Sequence, residues 1–308
     1  MIDTDVTPDA TSTTRQESYK KMKDAFTKTV PDNPEIEREK EAKEQKKRKY
    51  GYASYRKKQP PFAMLYLTGL VSGNKHLKMS DVGILLKMTE LLPMNQTVCA
   101  SFGKPLTRFE LQSHLGIQSS AFSDFQLRAT KAGIIRIDKK KNATFPNEYH
   151  INPSFSRRGK AHEDQKNLPF IKFLLEEEST IQKLSNKEAG FLYYVSTMMH
   201  RDHQLLSPVP DEGLIHHTTF HNHQTLQAEM KNRFQICSPK TVRKLLTKLI
   251  DMDLLKIITF DNQSLFVLNP MRFQRAPAGG STYTMAIKKL YEDNHISSTL
   301  KRVIMNQR

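Results

Sequence analysis

The sequence contains no tryptophan, only two cysteines and only twelve glycines in 308 residues. Cys99 and Cys237 stand in different parts of the chain, which argues against a disulfide framework or a cysteine-built zinc site. Long hydrophobic runs are also missing. The longest, "FAMLYLTGLV" from Phe62, is about half of what a membrane-spanning helix needs. The opening "MIDTDVTPDATSTT" has neither a basic nor an apolar leader region, so no signal peptide is expected. No G-x-x-x-x-G-K-[ST] stretch occurs, and "GLVSGNK" from Gly69 has neither its spacing nor its final hydroxyl. G-x-S-x-G is absent, and the carboxylates are scattered among lysines with no pair against an apolar background. Nothing recommends an enzyme, and no cofactor or metal is expected.

Acid is in short supply as well: 32 Asp and Glu face 48 Lys and Arg, a net charge of +16. Such a balance favours polyanionic partners, nucleic acid ahead of an anionic membrane surface. A hydrophobic content of 37% supports compact cores and leaves part of the chain solvated. The expectation is a soluble, cytoplasmic protein in a reducing compartment, with no membrane partner.

Residues 1–59 are expected to form a disordered to helical basic arm. Residues 1–32 lack any apolar period. The stretch from Asn33 is rich in helix formers and ends in Lys46, Lys47, Arg48, Lys49, Arg56, Lys57 and Lys58. Tyr50, Tyr52 and Tyr55 are interleaved among these charges. An arm of this kind either solvates a linker or contacts phosphates, each cation then displacing counterions.

"KMSDVGILLKMTELL" carries Val82, Leu85, Leu86, Thr89 and Leu92 at helical spacing, with Ser80 and Asp81 as candidate caps. "LTRFELQSHLGIQSSAFSDFQLRATKAGIIRI" predicts a helix over 108–114, a turn at Leu115-Gly116-Ile117 and a second helix after Ser119 that stops at Gly133. Ile134, Ile135 and Ile137 suit a strand, and "EYHI" its return. Helix, helix-turn-helix and two-stranded hairpin is the order of a winged helix.

The pattern recurs. "KLSNKEAGFLYYVSTMMH" mirrors the first helix, and "TLQAEMKNRFQICSPKTVRKLLTKLIDMDLLKII" mirrors the helix-turn-helix. A tight hairpin around Asp261-Asn262 follows. "EYHINPSFSRRG" from Glu148 and "LFVLNPMRFQRA" from Leu265 close the two copies alike: strand, Asn-Pro, aromatic, arginine. The fold class expected is mainly α with small β-hairpins (α+β), two tandem winged helix-turn-helix domains following the arm. Domain 1 covers 60–160, domain 2 covers 161–280, and a helical tail fills 281–308. "FIKFLLEEESTIQKL" opens the second domain. Ile287, Leu290, Tyr291, Val303 and Ile304 either cap that domain or make a homodimer contact.

Val242, Leu245, Leu246, Leu249 and Ile250 form an apolar stripe. Lys240, Arg243, Lys244, Thr247 and Lys248 lie opposite it, with Thr241 beside them, Ser238 as N-cap and Pro239 in the first turn. A helix with that face, second in a helix-turn-helix, suits a DNA major groove. In the first copy Ser119, Ser120, Ser123, Asp124, Leu127 and Arg128 face outward and are nearly neutral. There the charge sits at Lys139, Lys140 and Lys141 on the hairpin and at Arg157 and Arg158 after it. The second helix is therefore expected to read base edges, and the first copy to clamp backbone or contact protein.

"GLIHHTTFHNHQ" places His216, His217, His221 and His223 at spacings of four and two that a metal can use. They lack cysteine or carboxylate company, and a solvated loop is expected. Its literal H-N-H triplet does not make the nuclease motif.

Residues 62–160, in "FAMLYLTGLVSGNKHLKMSDVGILLKMTELLPMNQTV", the helix-turn-helix stretch and "EYHINPSFSRRG", resemble the winged-helix replication proteins of small Gram-positive plasmids, the RepL type. MarR-like regulators share most of the pattern. The doubled module resembles the layout of larger plasmid initiators with tandem winged helices. The resemblance implies a bacterial, DNA-associated protein that binds double-stranded origin repeats and recruits host replication proteins. A winged-helix transcriptional regulator is the nearest alternative. A relaxase or nuclease, or an RNA-binding scaffold using the arm, belongs to other classes.

Overall fold

The structure is a computed structural model. It describes residues 61–67, 76–94, 96–101, 104–139, 147–159, 161, 165, 168–175, 179–200, 205–208, 210, 221–236, 238–260, 263–275, 288 and 290–292. The N-terminal arm, Lys140, Lys141, His216, His217, Cys237, the turn at 261–262, Ile287, Val303 and Ile304 lie outside the described residues. Pro60–Arg308 forms one compact unit, so the boundary expected near residue 160 falls inside it.

The chain is a mixture of α-helices and small antiparallel sheets. Strand β1 (Phe62–Tyr66) precedes helix α1 (Met79–Glu90). A short hairpin, β2 (Ala100–Ser101) and β3 (Lys104–Pro105), leads to α2 (Arg108–Leu115) and α3 (Ser119–Lys131). Hairpin β4 (Ile135–Asp138) and β5 (Glu148–Ile151) follows, then β6 (Ser156–Arg158). The second half runs β7 (Phe170–Leu174), α4 (Asn186–Thr197), α5 (His223–Phe234), α6 (Pro239–Asp251), hairpin β8 (Leu255–Phe260) and β9 (Gln263–Leu268), and β10 (Phe273–Gln274). No helix among the described residues is long and apolar enough to cross a membrane.

Local chemistry explains where the helices begin. Thr107 and Glu110, and Ser185 and Glu188, form reciprocal capping boxes at α2 and α4. Asn222 and Thr225 do the same at α5. At α1 the cap differs from the expectation: Lys78 is the N-cap, and Asp81 sits three residues in, its carboxylate accepting the Lys78 backbone N–H at 2.8 Å. Helices α2 and α5 both end on a left-handed residue, Gly116 (φ 62°) and Gln235 (φ 56°).

The two halves meet in a four-stranded sheet of order β10-β7-β1-β6. Its central pair, β1 and β7, was not foreseen. They run antiparallel from Phe62 opposite Leu174 to Tyr66 opposite Phe170, with Met64 facing Lys172 at the midpoint. A local two-fold axis therefore passes between them. Helices α1 and α4 obey the same symmetry: Gly83 lies against the backbone of Asn186, and Gly190 against that of Met79. One core cluster joins residues of both halves, from Val82, Leu85 and Phe122 to Phe191, Leu245 and Phe273.

The repeated Asn-Pro ending now has a physical cause. Asn152 Nδ2 donates to the Gly133 carbonyl at 2.9 Å, and Asn269 Nδ2 to the Asp253 carbonyl at 2.8 Å. Gly133 (φ 69°) and Asp253 (φ 53°) are the left-handed residues that follow α3 and α6. Each Asn Oδ1 accepts a backbone N–H two residues on, from Ser154 and Met271. Each asparagine thus pins the end of a hairpin to the stop of the preceding helix, and the turn it starts delivers the chain into the shared sheet. The aromatic that follows is an anchor: Phe155 stacks on Tyr193 and Phe273 on Phe173, both buried.

The described part of the tail packs on the second half. Leu290 and Tyr291 are buried with Leu205, Leu265 and Val267, and the Tyr291 hydroxyl donates to the Asp253 carbonyl at 2.7 Å.

Candidate nucleic-acid interface

Helix α6 has the most polarised surface for its length. Val242, Leu245, Leu246 and Leu249 are buried against the core. Ile250 is not the fifth member of that stripe, being 37% exposed. Eight residues beyond Val242 the helical period has drifted by about 80°, enough to carry it off the buried face. Ser238 is the N-cap, its Oγ accepting the Thr241 N–H at 3.4 Å, and Pro239 fills the first position. Lys240, Arg243, Lys244 and Thr247 are exposed, while Thr241 and Lys248 are half-buried. Among the described residues no carboxylate pairs with Lys240, Arg243 or Lys244. The Thr247 hydroxyl donates to the Arg243 carbonyl at 3.1 Å. The result is a row of solvated cations on a rigid rod, which can meet phosphates or the acceptor edges of guanine.

The corresponding face of α3 is built differently. Ser119 and Ser123 are exposed but tied to Arg108, whose Nη2 donates to the Ser123 hydroxyl at 2.7 Å and to the Ser119 carbonyl at 3.1 Å. Ser120 and Asp124 are exposed. Leu127 is 73% exposed, and Phe109 on α2 is 79% exposed, so apolar surface stands where α6 shows charge.

Arg128, expected from sequence to face outward, is engaged inside the fold. Its Nε donates to Asp81 Oδ2 at 2.7 Å and its Nη2 to Oδ1 at 2.8 Å. Asp81 is 1% exposed and the arginine side chain 26% exposed. The carboxylate therefore both caps α1 and locks α3 to it, and the paired carboxylate holds the guanidinium pKa above its ordinary value. Arg128→Ala would leave a buried carboxylate unpaired, and is expected to cost about 2–3 kcal/mol. That is below the fully buried range because the guanidinium is partly solvated. Urea unfolding checks it: the midpoint should fall.

Lys139 is exposed at the end of the first hairpin strand. Arg157 and Arg158 sit on β6 opposite Met64 and Ala63, half-buried, and Arg158 Nη1 donates to the Leu92 carbonyl at 3.1 Å. They follow the first hairpin, as expected, and form part of the central sheet. Cys99 is fully buried, which pushes its thiol up to about 12. His221 is buried, with its Nδ1 3.3 Å from the Thr225 hydroxyl, and His223 opens α5 with its ring edge against Phe266. Neither belongs to a metal-ligand cluster among the described residues.

One cluster had no counterpart in the expectations. Asp138 and Glu148 face each other at the turn end of the first hairpin's strands, and His150 lies on the same side of β5 as Glu148. The signal was a Glu-x-His on a strand, which points both side chains one way, opposite a strand-ending aspartate.

No family model, curated protein or solved structure matches the chain.

Proposed function

We propose that the chain is a sequence-specific double-stranded DNA-binding protein built from two tandem winged-helix modules. It acts as a plasmid or phage replication initiator that binds origin repeats and recruits host replication proteins. The observation that carries DNA binding is the α6 face: Lys240, Arg243 and Lys244 exposed and unpaired among the described residues, on a helix whose opposite side is buried. Each half also supplies the elements that a winged helix uses, three helices and then an antiparallel hairpin. In each, a further segment bridges to that hairpin, Val98 to His150 and Leu205 to Val267. Support for replication in particular comes from the resemblance of residues 62–160 to plasmid replication proteins.

The module with the neutral α3 face serves as clamp or protein contact, and the module with α6 reads bases. A salt-titrated binding curve tests the proposal, on duplex DNA from the neighbourhood of the gene against a scrambled duplex of equal length. A specificity ratio of roughly a thousand or more is expected. The affinity should fall with log salt in proportion to the phosphates contacted, about 0.9 per contact. Protection of iterated direct repeats supports an initiator, and one palindrome over a promoter a regulator. Equal binding to both duplexes, collapsing together as salt rises, would reject sequence reading.

A further inference from the structure

We propose that Asp138, Glu148 and His150 form a binding site for one divalent transition-metal ion of the zinc class, placed at the turn end of the first hairpin's strands. The register of β4 and β5 sets Asp138 opposite Glu148 and Arg136 opposite His150, so four polar side chains share one side of the hairpin. The opposite side carries Ile135, Tyr149 and Ile151, all buried, and this fixes the strands beneath the cluster.

Ligand atoms of the three residues lie within 4.8 Å of one another. His150 Nε2 stands 3.2 Å from Asp138 Oδ2 and 3.4 Å from Glu148 Oε2. Those are hydrogen-bonding distances, yet Nε2 is a buried atom with no partner in acceptable direction. Both carboxylate oxygens lie off the Nε2 hydrogen-bond direction, close enough that a cation could be shared by all three groups. The other ring nitrogen is held: Nδ1 lies 3.0 Å from Thr97 Oγ1. When Nδ1 carries the proton and donates to that hydroxyl, the Nε2 lone pair is free for a metal, the arrangement by which outer partners orient ligating histidines. Thr97 is itself fixed, because its carbonyl accepts the Ile151 N–H at 2.8 Å.

Arg136 Nη2 also reaches Asp138 Oδ2, at 3.0 Å. It is 71% exposed, and an ion pair of that kind is weak enough to yield or to share the oxygen. One imidazole and two carboxylates favour zinc, cobalt, nickel or manganese over calcium and magnesium, whose ligands are all oxygen. Three protein ligands leave a position for water. The ion would tie together the facing ends of β4 and β5 and cancel two negative charges beside Lys139. That consequence for DNA rests on the proposed function; the binding of metal does not.

The test uses the full chain, stripped with a chelator and titrated with zinc chloride by calorimetry in the absence of DNA. Wild type is expected to show a saturable equivalent that Asp138→Asn combined with Glu148→Gln removes. Thr97→Val, which keeps shape and loses the hydroxyl, should weaken it roughly tenfold to a hundredfold. Zinc should also move the Nε2 resonance of His150 in a nitrogen–proton spectrum of the wild-type protein, a reading that depends on no variant. The proposal is overturned if the double variant binds zinc as wild type does. It is equally overturned if wild type shows no saturable binding, or if the resonances that move belong to other histidines and not to His150. Because no DNA is present, none of these results bears on DNA recognition.

Discussion

Gly83→Ala is expected to destabilise the protein by about 3 kcal/mol or more, through overpacking rather than through loss of any contact. A Cβ at Gly83 would fall inside contact distance of the Asn186 carbonyl and 2.7 Å from the backbone nitrogen of Gly190. Gly190→Ala meets the reciprocal obstacle, 2.8 Å from the carbonyl carbon of Met79. In both cases the nearest atoms are backbone, so no rotamer change relieves the clash. Helices α1 and α4 must separate, and the core around Val82, Leu86, Phe191 and Val195 opens with them. Alanine's better helix propensity returns at most about 1 kcal/mol, too little to reverse the sign. The melting temperature should drop by about 10 °C. The double variant should lose less than the sum, since one separation relieves both clashes. A stabilised Gly83→Ala, by calorimetry or urea unfolding, would mean the two helices do not pack at these glycines.

Arg243→Ala combined with Lys244→Ala is expected to lower specific DNA affinity about a hundredfold or more, each contact to a base edge being worth about 1–3 kcal/mol. Stability should be unchanged, because both side chains are exposed and neither pairs with a described residue. The salt slope separates two ways of losing affinity. If the pair touches phosphates only, binding to scrambled duplex falls equally and the slope shrinks by about one per residue. If it reads bases, the specific site suffers far more. Arg128 provides the contrast, since its replacement acts on the fold through Asp81.

Most of the local structure was legible because its signals are local. The Ser238-Pro239 start of α6 announces a helix within one turn of chain. Gly133 marks a stop by its freedom at positive φ, and the two Asn-Pro endings mark the same corner twice. What escaped depends on distant partners. "FAMLY" and "FIKFL" become the central strands of the sheet, and being largely buried they lack the alternation that identifies a half-solvated strand. Arg128 looked like an outward cation on its own helix, until the fold brought Asp81 to it from 47 residues away. Gly83 and Gly190 carry no signal within their own helices, and only the contact between those helices shows that no larger residue fits. The Asp138, Glu148 and His150 cluster needs the hairpin register before its three members become neighbours.

The pairing of β1 with β7 also shapes how the chain comes into being. Phe62 cannot meet Leu174 until more than a hundred intervening residues have left the ribosome. For that interval the first half carries an apolar strand with one edge paired to β6 and the other open, and a bare glycine groove on α1, both awaiting the second half. Long-range antiparallel pairing of this kind closes slowly, and the open edge is what another nascent copy would most readily join. The seam that unites the finished molecule is, during synthesis, its most exposed liability, and crowded translation of this chain should favour mispairing there before anywhere else.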